Sequence, residues 1–504
     1  MVANFRLELN VDVVIEQVVG VARWLCQAAE KGSAAHEVER TIFQTVLEMG
    51  QRLFGGYLRM AGDGDLGEQV TLPDGRVVQR LEDAHERRLQ TVFGEFSLSR
   101  RVSGTEERKV IELIPTDQRL QLPEGKVSYL LQEWDQLLGV EQAYGRVRDT
   151  LNSILRIKQS VDTLEHGTRQ MAESAPAFRE QQPAPEPDAE GEFLIVTEDN
   201  KGIPMVRPVD APPPGAHLTK GQKKNKKRMA CVGCVYSVDP HVRTPEELVA
   251  TLFRDPDRPK LTPPKAQHKR YWASLTREIA GTEICGQTEV FEHLRDDLAL
   301  RRQPRQKLIN LSDGQRSLET DRHDDLPRDE HTVDILDLMH VLPRLWEAAH
   351  LFHAEASDEA QSFVRQRLRR VLEGQAKSVI ADFRRQGTNR KLRGAKRKTL
   401  DRLTRFLESN LHRMRYDEYL AAGYPIATGV IEGACRHLVK DRMERSGMRW
   451  KVPGAQALLA LRTIHTNGDW QDFQDFRVRY ETERLYPHAE KFQAISWPLK
   501  SITV

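Results

Sequence analysis

Cutting or joining a phosphodiester builds negative charge on both the attacking and the leaving oxygen. Two divalent cations held about 4 Å apart stabilise both at once. Carboxylates are the natural ligands for such hard ions. Of the 74 acidic residues, three fall where ligands of this kind are usually presented. Asp199 follows the apolar run Phe193–Val196, Asp313 ends the run Lys307–Leu311, and Glu432 lies in a helical stretch. Each also has an ordinary reading. Asp199 opens Asp-Asn-Lys-Gly, which is good turn chemistry. Asp313 stands before a glycine, as turn aspartates do. Glu432 is four residues before Arg436, the spacing of a surface ion pair on a helix. Glu198, Asp321, Asp324 and Asp325 compete for the same role, so spacing alone does not select a set.

A second chemistry to weigh is the Cys231-Val232-Gly233-Cys234 motif. It lacks a second ligand pair at zinc spacing. In a strand, residues three apart point to opposite faces, so both cysteines are read as strand residues. The five cysteines are sparse and odd in number, which is not a disulfide framework and suits a reducing cytoplasm.

Net charge is only +2, yet the basic residues cluster. Lys220–Arg228 holds six in nine positions, including Lys223, Lys224, Lys226, Lys227 and Arg228, with no acid. Phe383–Leu400 holds eight with no acid, and Arg442, Arg445, Arg449 and Lys451 surround Trp450. Neutralising a phosphate backbone requires such clusters. A single cluster reads as a solvated surface; three in one half of the chain point to nucleic acid.

These residues need elements to position them. At 504 residues the chain exceeds one ordinary core, and two or three domains are expected. No window has the length of apolar sequence that a membrane span needs, and Met1–Phe5 has no secretory n-region and apolar core. Residues 10–62 read as two helices, with Val38, Ile42, Val46, Met49 and Leu53 at helical spacing. Residues 91–115 alternate like strands, turning at Ser103-Gly104-Thr105. Residues 126–171 are helical, with a break near Lys158–Ser160 that suits a helix-turn-helix. The Pro, Glu and Ala of residues 173–191 predict a flexible linker. Beyond it, short apolar runs at 193–196, 204–206, 229–238, 307–311 and 333–336 predict a mixed sheet covered by helices. Residues 337–420 carry helical stripes such as Leu338, Leu342 and Leu345. A further helix is expected to begin near Thr428 and to carry Glu432.

The residues around the three acids single them out. Glu198–Met205 (EDNKGIPM) resembles the first-aspartate motif of bacterial insertion-sequence transposases of the Kra-type family. Gly221–Tyr236 resembles that family's basic strand lead-in. Leu311-Ser312-Asp313-Gly314 is similar to its second-aspartate motif. Ala427–Trp450 (ATGVIEGACRHLVKDRMERSGMRW) resembles its glutamate helix and basic tail, and is the most specific match. Asp337-Leu338-Met339-His340 is similar to an Asp-x-x-His element of several DDE transposase groups. The resemblance spans residues 192–475, and extends more loosely to Phe93-Gly94, Pro115–Asp117 and Leu122-Pro123. Two departures stand out: the hairpin of the N-terminal part lacks a cysteine pair found in some relatives, and Asn200 replaces a glycine after the first aspartate.

The resemblance implies an α/β chain with a ribonuclease-H-like catalytic domain in two pieces, 192–336 and 421–475. An α-helical insertion, 337–420, separates them. A mostly helical DNA-end-binding region, 1–172, precedes the linker, and a tail, 476–504, follows. It implies a DDE transposase, with Asp199, Asp313 and Glu432 holding two Mg²⁺ ions (or Mn²⁺). Lys223, Lys224, Lys226, Lys227, Arg228, His340, Arg436, Lys440, Arg445, Arg449 and Trp450 are then the candidate DNA contacts. Partners are double-stranded transposon-end and target DNA and a second copy of the chain, in the cytoplasm and nucleoid, with no membrane. The alternatives are a ribonuclease-H-fold nuclease without strand joining, or an inactive relative that only binds DNA.

Overall fold

The computed structural model describes residues 11–487 apart from 73, 106–109, 207–226, 259, 261, 428 and 446, with only the backbone for 11–14. The chain divides into two compact units. One comprises residues up to Phe178 together with those from Gln471, and the other is Arg179–Trp470. Among the described residues, no helix is long and apolar enough to cross a membrane.

In the first unit the two expected helices are Val11–Glu30 and Ala35–Met60. The strand-like region is richer than its alternation suggested. Gln69–Thr71, Val77–Arg80, Ser103–Thr105 and Val110–Leu113 form an antiparallel sheet, so Ser103-Gly104-Thr105 is a strand and not a turn. His85–Thr91 and Gly94–Arg100 form a hairpin whose Leu89 and Leu98 pack with Leu58. Helices Tyr129–Gly139, Tyr144–Leu155 and Val161–Ala172 follow, and the Ser160 hydroxyl caps the last by accepting from Thr163 N.

The segment 173–191 is not a bare linker. Residues Ala175–Glu180 form a helix with Ala175 and Phe178 buried, and the unit boundary falls inside this segment. Phe178 meets Phe473 and Phe476 of helix Trp470–Leu485, and Arg477 of that helix donates to Gln132 at 2.6 Å. The tail expected from residue 476 begins inside this helix, which runs to Leu485. The linker expectation weighed Pro, Glu and Ala, and the tail was placed where the resemblance ends; both overlooked a few aromatic residues at helical spacing, each of which buries a large apolar area.

The second unit is mixed α/β around a five-stranded mixed sheet. Its strands are β1 (Phe193–Pro204), β2 (Lys227–Val238), β3 (Gln267–Leu275), β4 (Lys307–Ser312) and β5 (Thr332–Leu336). The spatial order is β5-β4-β1-β2-β3, with β1, β2 and β3 antiparallel neighbours and β4 and β5 parallel to β1. The turn predicted at Asp199–Gly202 does not form. β1 runs through it, paired from Phe193↔Val238 to Pro204↔Lys227. A continuous ladder with β2 overrides the local turn preference of Asn and Gly. The strand β3 escaped the sequence reading because it begins Gln-His-Lys-Arg, charges typical of a sheet edge. Only its second half, Tyr271–Leu275, is buried.

One face of the sheet is covered by α1 (Gly286–Arg301) and α2 (Arg316–Asp325), which bury Leu194, Val196, Cys231, Val235 and Leu308 against Val290, Phe291, Leu294 and Leu318. Gly233 permits this approach, since a Cβ there would stand 2.8 Å from Val290 Cγ1 and 2.9 Å from Leu294 Cδ1. Cys231 and Cys234 are free, buried strand residues. After β5 come α3 (Leu338–Ala349), α4 (Asp358–Leu372), α5 (Ala376–Asn389) and α6 (Gly394–Ser409). They form the expected helical stretch, held by a Phe363–Phe383 stack and a buried Arg367–Asp382 pair. The chain then returns to the sheet as α7 (Gly429–Ala434) and α8 (Val452–Asn467), which pack on β1 and β2 and on β3 respectively.

Candidate functional site

Alternation along β1 separates its two consecutive acids. Glu198 shares the face of Leu194 and Val196 and is fully buried in an ion pair with Arg322 of α2. Asp199, its neighbour, therefore points to the other face, toward α7, and is only half-buried. Burial pushes Glu198 up, with Arg322 opposing. It is a core ion pair, whereas Asp199 is available to the site.

The neighbouring strands bring further aspartates close. β4 pairs with β1 as far as Asn310↔Val196, three residues short of Asp313 and Asp199, and the Asp313 charge is near enough to raise Asp199. β4 pairs with β5 through Ser312↔Leu336; one residue on, Asp313 stands beside Asp337. The Asp337 N–H donates to Ser312 O at 2.8 Å, which holds the two strand ends together. Asp313 and Asp337 thus directly follow the ends of the neighbouring parallel strands β4 and β5, while Asp199 lies within β1. Asp313 is fixed locally: its Oδ1 accepts from Gln315 N at 2.7 Å, and Gly314 has φ +83°. A Cβ on Gly314 would meet Leu336 Cδ1 at 2.9 Å and Asn410 Oδ1 at 3.3 Å. Arg413, buried, donates to Ser312 Oγ at 3.1 Å and ties the helical insertion to this loop.

Glu432 comes from α7. The helix begins after Ile426, whose carbonyl accepts from Leu338 N at 2.9 Å, so the starts of α3 and α7 are anchored side by side. Beyond Ala434 the helix widens to π-type hydrogen bonding over Cys435–Lys440. Such insertions gather at functional sites. Arg462 of α8 donates to the carbonyls of His437 and Leu438, supporting the widened turn. The buried Cys435 thiol, three residues after Glu432, lies near Asp199; burial pushes the thiol up, and the Asp199 carboxylate adds to the shift.

Asp337, His340 and Glu432 each place a donor atom within 4.8 Å of the others. Asp337 Oδ1 caps α3 by accepting from Met339 N at 2.7 Å, and Oδ2 lies 3.8 Å from His340 Nδ1. That separation is too long for a hydrogen bond, so the pair is an electrostatic contact. The electrostatics are those of crowded acids. Burial raises Asp199, and the nearby Asp313 raises it further, against Asn200, Cys435 and His340. Burial and then Asp337 raise Glu432. His340 is raised by Asp337 against its partial burial, with Asp313 and Asp199 adding to the effect. Carboxylates that repel one another on one face, with oxygen donors converging, fit a divalent cation.

The candidate DNA contacts fare unevenly. Lys223, Lys224 and Lys226 lie outside the described residues. Lys227 is ion-paired with Glu444, and Arg228 donates to Thr276 O at 2.6 Å. Arg436 is exposed, with Asp441 at 3.6 Å, and Lys440, Arg445 and Arg449 are exposed on the same segment. Trp450 is corrected: it is buried, donates from Nε1 to Met443 O at 3.0 Å, and extends the end of β1 by bonding to Pro204 and Val206. An indole held this way packs the core and is not offered to a base. His340 lies in the acidic cluster with Asp337 and Glu432. In the insertion, Arg384 and Arg397 are paired with Glu408 and Asp401, while Lys391, Arg393, Lys396 and Lys398 are exposed.

Two residues of the site were not among the candidate ligands. Asp337 had a signal, since it opens the Asp-x-x-His element and follows a strand as Asp313 does, but only His340 of that element was taken as a candidate contact. Cys435 had none, because a cysteine three residues from a glutamate has no functional meaning until the helix is placed. No family model matches the chain, and no curated protein is a significant match.

Proposed function

We propose that this chain is a DDE-type DNA transposase with a ribonuclease-H-like catalytic unit interrupted by a helical insertion. The observation that carries the reading is the electrostatic proximity of Asp199, on β1, to Asp313, directly after the neighbouring β4, and to Glu432, on the helix packed on β1, with Glu432 itself gathered within 4.8 Å of Asp337 and His340. The strand order, an antiparallel trio followed by two strands parallel to the first, supports the fold assignment. The motifs around the three acids, which resemble the Kra-type family, support the activity.

The carboxylates fit Mg²⁺ or Mn²⁺, and a bound ion pair would stabilise the attacking and leaving oxygens of the phosphodiester. The chain's own residues do the rest. Asp199 and Asp313 are fixed by backbone N–H donors, so their oxygens are oriented before DNA arrives. Glu432 reaches in from the solvent side, where the scissile phosphate approaches. No Tyr or Ser nucleophile is needed, because water and then a DNA 3′-hydroxyl attack in turn. Arg436, Lys440, Arg445 and Arg449 beside the site, and Lys391, Arg393, Lys396 and Lys398 on the insertion, supply phosphate contacts. The same reading places the protein on transposon-end and target DNA, in the cytoplasm and nucleoid, as a homo-oligomer on two ends.

The test is metal-dependent cleavage and strand transfer on the DNA ends flanking the gene, comparing the parent with Asp313→Asn. The parent cuts and joins with Mg²⁺, and the variant binds the ends without cutting. Equal cutting by both would remove these residues from the chemistry. Cutting without joining would leave a nuclease, and binding without cutting would leave a DNA-binding relative.

A further inference from the structure

The acidic site contains more than the three carboxylates that the proposed reaction needs. Asp337 is 1% exposed, sits level with Asp313, and approaches His340 and Glu432 within 4.8 Å. The three come from one rigid frame. Asp337 and His340 are three residues apart at the start of α3, and the Leu338–Ile426 hydrogen bond fixes α3 to the segment leading into α7. His340 Nδ1 is shielded from solvent and has no hydrogen-bond partner, with Asp337 Oδ2 at 3.8 Å. Donors that share an octahedral ion at about 2.1 Å stand about 3–4 Å apart. An imidazole nitrogen and a carboxylate oxygen at that separation, unbonded to each other, have the spacing of two ligands to one ion.

We propose that Asp337, His340 and Glu432 form a mixed nitrogen–oxygen site for one divalent transition-metal ion, with Mn²⁺ the hard representative and Zn²⁺ the borderline one. This deepens the transposase reading, on which it rests for the presence of bound ions. Glu432 then belongs to two ligand sets, and the two cation positions of the site differ in kind. The position at Asp199 and Asp313 is all-oxygen and accepts Mg²⁺. The position at His340 discriminates, because imidazole suits Zn²⁺ best and first-row ions such as Mn²⁺ accept it beside carboxylates, while Mg²⁺ keeps to oxygen and water. Asp337 has a dual duty, with Oδ1 committed to capping α3 and Oδ2 turned to His340. A carboxylate held by a backbone N–H is pre-oriented in the way outer-shell partners orient metal ligands. Arg436 and His437 lie further along the same helix and are turned to Asp441, so they do not compete for the ion.

The experiment is Mn²⁺ binding to the full-length protein without DNA, read by calorimetry and by pulsed electron paramagnetic resonance, which detects nitrogen bound directly to Mn²⁺. The parent is compared with His340→Gln, Asp337→Asn and Asp313→Asn. The parent should show a nitrogen coupling on bound Mn²⁺. His340→Gln should abolish that coupling and weaken one Mn²⁺ site at least tenfold, with Mg²⁺ affinity changed less than threefold. Asp337→Asn, which can still cap α3, should weaken the same site. Asp313→Asn should weaken the other site and keep the nitrogen coupling. Mn²⁺ bound without nitrogen coupling in the parent would overturn the proposal, even in a protein that cuts and joins DNA. Nitrogen-coupled Mn²⁺ in a protein that neither cuts nor joins would sustain this site and remove the transposase reading instead.

Discussion

Glu198 and Asp199 are consecutive acids on opposite faces of β1, and they should respond to the loss of charge in opposite ways. In Glu198→Gln the amide still accepts from Arg322, but the guanidinium loses its counter-charge at a position where the two side chains are 0% and 3% exposed. Removing one partner of a buried pair costs about 3–5 kcal/mol. Asp334 and Glu319 also face Arg322, so the lower end, about 3 kcal/mol, applies here. For a unit of this size each kcal/mol lowers the midpoint by about 2–4 °C, giving a fall of about 6–12 °C. The assay is thermal unfolding of the full chain in metal-free buffer, with Asp199→Asn as the companion. Asp199→Asn should not fall at all, since it removes a carboxylate that burial and Asp313 disfavour. A Glu198→Gln protein melting within about 2 °C of the parent, beside an Asp199→Asn protein that collapses, would refute the facial assignment on which the site rests.

Three further outcomes follow from the same geometry. Asp199 is held above the usual carboxylate range, so its ionised form costs stability: the cost is full above the raised value, fades as pH falls through it, and is gone below the unfolded value of about 4. Asp199→Asn should therefore stabilise the metal-free protein at neutral pH, and calorimetry down to about pH 4 should show the gain disappearing. Gly314→Ala adds a Cβ at φ +83° and 2.9 Å from Leu336 Cδ1, costing about 1–2 kcal/mol of backbone strain and shifting Asp313; cleavage should drop at least about tenfold while DNA binding holds, as gel shift and cleavage assays on one preparation would show. Replacing Lys396 and Lys398 together by Gln should weaken DNA uniformly across sequences and reduce the salt slope by about 2, measured by fluorescence anisotropy over a salt series.

Much of the second unit was legible because its strands are short apolar runs ended by acids. Phe193–Val196 and Leu308–Leu311 are buried throughout, and Ile335–Leu336 end the edge strand buried; apolar runs of that kind need no partner to be recognised. The extent of β1 was not legible: Asp199–Gly202 is written as a turn, and only pairing with β2 makes it a strand. The choice between Glu198 and Asp199 was likewise hidden, because a one-residue difference sets the face and the face is known only once α1 and α2 are placed. Arg322 and Arg413, the buried cations beneath and beside the acids, carry no local signal, since a sequence with abundant arginine does not mark the few that lose solvent. Trp450 misled in the opposite direction: basic neighbours suggested a stacking platform, while its indole closes the end of β1. The unit boundary was displaced by the few aromatic residues that draw 175–180 and 471–485 together.

The claim at the centre of this account is that Asp199, Asp313 and Glu432 hold divalent cations. Anomalous diffraction from crystals of the protein grown with Mn²⁺ locates such ions without relying on activity. Density within about 2.0–2.3 Å of carboxylate oxygens of Asp199 and Asp313, and of Glu432, is the predicted result. Mn²⁺ bound elsewhere, with these three carboxylates unligated at saturating metal, would contradict it.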